Sequence, residues 1–99
     1  MEIKTTTTTE GVELTLTGRL DTVTSTKLQT ALTEVIQSSD TVVLDFAGVE
    51  YVSSAGLRVL LQGQKSAQGA DKSMKLKNVS SEVMEVFDVT GFSGILTII

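Results

Sequence analysis

The stretch from Thr41 to Leu61 limits what this chain can become more than any other. Thr41-Val42-Val43-Leu44-Asp45-Phe46 is a short, nearly continuous apolar run. That pattern predicts a central strand covered on both faces, as parallel strands usually are. Soon afterwards Leu57, Leu60 and Leu61 recur at helical spacing, so a helix is expected over about residues 54–68, with Gly69 as its C′ stop. A strand that feeds a helix needs a parallel neighbour to receive the crossover, which is right-handed.

The flanking sequence supplies those neighbours. Thr5 to Thr9 are β-branched and read as an exposed first strand. Glu10-Gly11 reads as a turn. Val12, Leu14 and Leu16 then alternate with polar residues in a half-buried second strand that Gly18 ends. Leu28, Ala31, Leu32, Val35 and Ile36 form one apolar helical stripe, with Thr24 as expected N-cap and Val23 stapled to Leu28. Met74 to Val79 is a fourth strand. Ser80 or Ser81 caps a third helix that buries Val83, Val86 and Phe87 and stops at Gly91, and residues 94–99 supply a last strand. The order is β-β-α-β-α-β-α-β: one α/β domain over residues 1–99, with a mixed sheet of about four to five strands and about three to four helices. The loops after the second and third strands, Gly18 to Asp21 and Ala47 to Ser53, leave the sheet at one end, where α/β folds usually bind. Asp21 and Ser54 are expected together at that edge.

Composition removes most chemistry. There is no cysteine and no histidine among the 99 residues, so thiolate catalysis, zinc-thiolate sites and the Ser-His-Asp triad are excluded. A formal charge of −4 and four scattered aromatics, Phe46, Tyr51, Phe87 and Phe92, argue against nucleic acid, which needs a basic stripe or a stacking platform. No apolar run reaches the length of a membrane span, and the start lacks a signal-peptide core; a cytoplasmic protein is expected. No Gly-x-Ser-x-Gly elbow or glycine-rich phosphate loop occurs. Lys65 and Lys72, the lysines nearest in sequence to Ser54, fall at or beyond the far end of its helix. The expectation is a protein without enzymatic activity and without a cofactor.

What remains is the entrance to the second helix, Tyr51-Val52-Ser53-Ser54-Ala55-Gly56-Leu57-Arg58. A hydroxyl there can cap free backbone N–H groups. It can also carry a phosphate, which the helix dipole and those donors favour. Ser54 is open to both roles, and Ser53 is a rival acceptor. Gly56 permits the close approach of another backbone, from a partner or from within the domain. Arg58, four residues after Ser54, is either a counterion for a phosphate or a solvated charge. Asp21 is a turn residue, part of an interface or a group that orients phosphotransfer.

These residues resemble a known family. The order of elements, Gly18-x-Leu20-Asp21, Val42-Val43-Leu44-Asp45-Phe46, Tyr51 to Leu57, Asn78 to Val83 and Phe87 to Phe92 look like the bacterial anti-sigma-factor antagonists of the STAS domain family, over essentially the whole chain. The resemblance implies a partner-switching module. In such proteins the serine matching Ser54 is phosphorylated by an anti-sigma factor that is itself an ATP-dependent serine kinase. The unphosphorylated antagonist binds that kinase and frees the sigma factor, and a metal-dependent PP2C-type phosphatase resets it. Many members carry aspartate immediately before the acceptor; this chain has Ser53. STAS-like proteins also serve as small docking subunits of lipid-transport ABC complexes, which is the alternative function.

Overall fold

Three helices lie against one face of a four-stranded sheet in a computed structural model that describes all residues 1–99. The strands are β1 (Glu2–Thr7), β2 (Val12–Leu20), β3 (Thr41–Val52) and β4 (Ser73–Lys77), in spatial order β1-β2-β3-β4. The helices are α1 (Ser25–Ser38), α2 (Ser54–Gly69) and α3 (Ser81–Thr90). β1 pairs antiparallel with β2 through the tight Thr8–Gly11 turn, whereas β2–β3 and β3–β4 are parallel across α1 and α2. The expected mixed sheet and the parallel direction of the second and third strands are therefore present.

One face of the sheet carries the core. Leu14 and Leu16 of β2, Val42, Leu44 and Phe46 of β3, and Met74 and Leu76 of β4 are all buried. They meet Leu28, Leu32 and Ile36 of α1, Leu57 and Leu60 of α2, and Val83 and Phe87 of α3 in a single cluster. Phe87 stands edge-on to Phe46, with ring centroids 6.2 Å apart. Burying each such side chain stabilises the fold by roughly 1.5–3 kcal/mol. Gly63 brings α2 close to its neighbours: a Cβ there would lie 3.0 Å from the Met74 sulfur and 3.1 Å from Leu32.

The other face is open, which corrects the expectation of a central strand covered on both sides. Glu13, Thr15, Val43, Asp45, Lys75 and Lys77 line it half-buried, and Lys77 pairs with Glu13 across β3 at 2.7 Å. The alternation in β3 is thus apolar and mixed rather than apolar throughout.

β2 and β3 both run further than the sequence suggested. Gly18 does not end β2, which continues to Leu20, and residues 47–52 are strand rather than loop. The register explains why: β3 has one residue more than β2 between the pairs Thr15↔Asp45 and Thr17↔Gly48, and another between Gly18↔Val49 and Arg19↔Tyr51. Each bulge resets the alternation. Phe46, Val49 and Val52 consequently recur every third residue and all point into the core.

The last strand is absent as an independent element. After Gly91, which closes α3 in the left-handed region at φ 81°, the chain makes a 3₁₀ turn over Phe92–Gly94. It meets the sheet only at Ile98, bridged to Leu76. Leu96 is buried, and the Leu76 amide and carbonyl bond Thr97 and Ile99, so the segment covers the outer edge of β4. At that strand's other end Asn78 turns at positive φ, which stops β4 at Lys77, short of the expected Val79. α2 includes Gly69, and Ala70 is its C-cap.

Candidate functional site

β2 and β3 end side by side, and this brings the expected residues to one edge. Leu20 is opposite Val52, and the Leu20 carbonyl accepts from the Ser53 amide at 2.8 Å. Asp21 follows the first strand end and Ser54 follows the second, as their loops predicted.

The two serines differ in what their hydroxyls engage. Ser53 has extended backbone and is the N-cap of α2, its hydroxyl accepting from the Gly56 amide at 3.2 Å. Ser54 is instead the first helical residue; it is exposed, and its hydroxyl enters no hydrogen bond. A cap needs β-region backbone one residue before the helix, and only Ser53 has it. No acidic residue occupies the first turn of α2, so the partial positive charge of the helix start is unneutralised there.

Gly56 is buried, and its missing side chain is used within the domain. A Cβ at that position would lie 2.7 Å from Leu20 Cγ and 3.0 Å from the Leu20 carbonyl oxygen. The glycine therefore lets α2 start hard against the end of β2. Leu57, the next residue, is buried together with Leu60. Arg58 is exposed on the outer side of α2 and makes no ion pair.

Thr24 stands at the expected N-cap position of α1, but Asp21 supplies the side-chain hydrogen bonds at the entry to the helix. Its Oδ1 accepts from the Val23 amide at 3.1 Å and the Thr24 amide at 3.0 Å. The Thr24 hydroxyl accepts from the Asp21 amide at 2.9 Å, and its one proton is shared between the Arg19 carbonyl at 2.7 Å and Asp21 Oδ1 at 3.0 Å. Thr24 has helical backbone and caps nothing with its side chain. The Thr24 amide and hydroxyl, helped by the Val23 amide and the charge of Arg19, hold the Asp21 carboxyl below the usual carboxylate range against the opposing effect of desolvation. The expected Val23 staple is not made: Val23 is 83% exposed.

Two neighbours of the site carried no clear signal in the sequence. Arg19 is directly opposite Tyr51, and its guanidinium carbon lies 4.2 Å from the tyrosine ring centroid. Tyr51 is 42% exposed. Neither pairs with the other by any sequence spacing, because the second bulge in β3 sets their register.

A family model described as "Mlab, STAS domain" matches residues 3–97. The anti-sigma-B factor antagonist of Listeria monocytogenes is 32% identical over 92 residues, which cover 91% of this chain and 80% of that protein. Among solved structures, the anti-sigma factor antagonist SpoIIAA in its unphosphorylated form superposes with a TM-score of 0.81 at 19% identity, covering 99% of this chain and 88% of that one. The phosphorylated form of SpoIIAA, a Bacillus cell fate determinant, superposes with a TM-score of 0.76 at 19% identity, covering 99% and 91%. At such identity these two likenesses speak to the fold. No helix of the chain is long and apolar enough to cross a membrane.

Proposed function

The chain belongs to the STAS domain family, and from that premise we propose that it is an anti-sigma-factor antagonist that changes partners with the phosphorylation of Ser54. The unphosphorylated form binds an anti-sigma factor with serine-kinase activity and so frees a sigma factor. In the kinase's active site the Ser54 Oγ–P bond forms as the bond from the γ-phosphorus of ATP to the ADP leaving group breaks, and the hydroxyl proton passes to a base on the kinase. A PP2C-type phosphatase then hydrolyses the ester with water and releases inorganic phosphate. The protein itself contributes a docking surface and an acceptor, not a catalyst.

The observation that supports this reading most directly is the contrast between the two serines. Ser53 is held by the Gly56 amide, whereas Ser54 is exposed with an unengaged hydroxyl. A phosphate adds about −1.5 to −2 charges, and at a helix N-terminus these are tolerated by the fold. The change therefore falls on the surface, where a partner seated on this edge would have to desolvate the charge.

Incubation with a candidate serine kinase and ATP, followed by mass spectrometry, tests the reading. Phosphate on Ser54 with loss of kinase binding supports it. Phosphate on Ser53, or none with any such kinase, defeats it.

The matching family model carries the description Mlab rather than the name of an antagonist, and this favours one second reading: a non-switching docking subunit of a lipid-transport ABC complex. Co-purification with an ATPase, without phosphate incorporation, is its signature.

A further inference from the structure

The sheet has two outer edges, and only one of them is closed. Beyond β4 the C-terminal segment engages the Leu76 amide and carbonyl through Thr97 and Ile99. Beyond β1 there is no strand, and the usual devices that blunt such an edge are missing. The chain has no proline, β1 pairs with β2 without a bulge, and every residue of β1 except Ile3 is exposed.

The turn at Thr8–Gly11 fixes which groups of β1 are free. Thr8 and Gly11 exchange backbone hydrogen bonds in both directions, at 2.7 and 3.3 Å. In an antiparallel ladder such pairs alternate with pairs that exchange none. Counted back along the unbroken register, Thr6↔Glu13, Lys4↔Thr15 and Glu2↔Thr17 are the bonded pairs. The amides and carbonyls of Ile3, Thr5 and Thr7 therefore turn the other way, to the open edge. Side chains split by the same alternation. Ile3 is opposite Leu16 on the helix side and packs against the core, so Glu2 and Lys4 are on the outer face.

We infer that this edge is a docking surface for a second copy of the chain, β1 pairing antiparallel with β1 about a two-fold axis through Ile3. Such an axis, normal to the sheet, sets one residue opposite its own image. Centred on Lys4, it would oppose two lysines directly, which is destabilising. Centred on Thr5, it leaves Lys4 facing Thr6. Centred on Ile3, it sets Glu2 opposite Lys4 of the second copy and Lys4 opposite Glu2 of the second copy. The two Ile3 residues then meet on the core side and exchange backbone hydrogen bonds. The Thr5 amide reaches the carbonyl of Met1 in the second copy, whose other lone pair takes the Lys27 ammonium. Of the three registers this one alone pairs opposite charges. The four-stranded sheet is doubled, and its two halves run in opposite directions. The two ends that carry Asp21 and Ser54 consequently point apart, and both stay open. The dimer stands independently of the reading of Ser54.

Sedimentation equilibrium of the full chain from micromolar to millimolar concentration is expected to show monomer–dimer exchange. Over the same range, amide exchange followed by NMR should slow at Ile3 and Thr5 and stay constant at Lys4, whose amide is already bonded to β2. Thr5→Pro removes an outward donor that the domain itself does not use, and should abolish the dimer. Glu2→Lys and Lys4→Glu each set like charges opposite one another and should weaken it about 10-fold. The double exchange, Glu2→Lys with Lys4→Glu, should restore it, as should an equimolar mixture of the two single variants. A chain that stays monomeric throughout, a dimer indifferent to Thr5→Pro, or one that the charge exchange fails to rescue overturns the inference.

Discussion

The Leu20 carbonyl and the Ser53 amide, 2.8 Å apart, form the last rung between β2 and β3, and Gly56 packs its backbone against the same leucine. That junction fixes where α2 begins, and hence which of two adjacent serines faces solvent.

Ser53→Ala and Ser54→Ala should separate the structural hydroxyl from the functional one. Loss of the Ser53 cap is expected to cost about 1 kcal/mol of stability, whereas Ser54→Ala should stay within roughly 0.5 kcal/mol of the parent. Urea unfolding of the two variants checks this. Equal losses would mean that both hydroxyls support the helix.

Ser54→Asp should weaken binding to the anti-sigma factor about 5- to 150-fold, the range of ordinary coupling energies, with the fold retained. Titration calorimetry against the kinase measures it, and Ser54→Ala should bind as tightly as the unphosphorylated parent. An aspartate variant that binds undiminished would remove the basis for the switch.

Gly56→Ala should destabilise the domain by about 1–3 kcal/mol, the usual penalty for overpacking. The new methyl would lie 2.7 Å from a carbon of the fully buried Leu20, so either α2 or the strand end must shift. Thermal denaturation gives the cost. Loss of partner binding without loss of stability would place Gly56 in the interface instead.

Acid should weaken the fold through two carboxylates. Asp21 is held below the ordinary value of 3.8 by the Thr24 amide and hydroxyl and the Val23 amide. For Asp45, burial acts upward but is outweighed by the Ala47 amide, the Asn78 side chain and the charge of Lys77. A folded pKa below the unfolded one means that the unfolded chain binds more protons as pH falls. The stabilisation from both groups is therefore complete above the unfolded value near 3.8 and is lost as pH drops through the lowered folded values. Urea midpoints followed down through this range should fall less steeply in Asp21→Asn and Asp45→Asn than in the parent. Parallel curves would refute the assignment.

The helices, the parallel pairing and the edge holding Asp21 and Ser54 were legible in the sequence because they rest on periodicity. Leu28, Leu32 and Ile36 mark the buried side of α1 at helical spacing, and Leu14 and Leu16 mark β2 by alternation. What periodicity cannot carry is a change of register. The bulges in β3 made Phe46, Val49 and Val52 look like a strand that had ended, and so hid the pairing of Arg19 with Tyr51. The cap of α2 stayed open in the sequence, because two serines in succession are chemically alike and only backbone conformation tells them apart. At α1 a carboxylate three residues upstream took the role expected of Thr24. The final strand failed because the apolar tail covers the edge of β4 without extending along it.

The paired insertions in β3 make that strand a measuring stick. From Phe46 to Val52 the chain advances by threes between anchored side chains, and Ser54 is delivered to the rim two positions after the last anchor. Removing any one residue from this interval would carry the count past its mark, turning an interior side chain outward and drawing the hydroxyl inward. The spacing between the last anchor and Ser54 is thus as much a requirement of the proposed switch as the identity of either, and a variant that keeps both residues but drops one position between Phe46 and Val52 would lose the site.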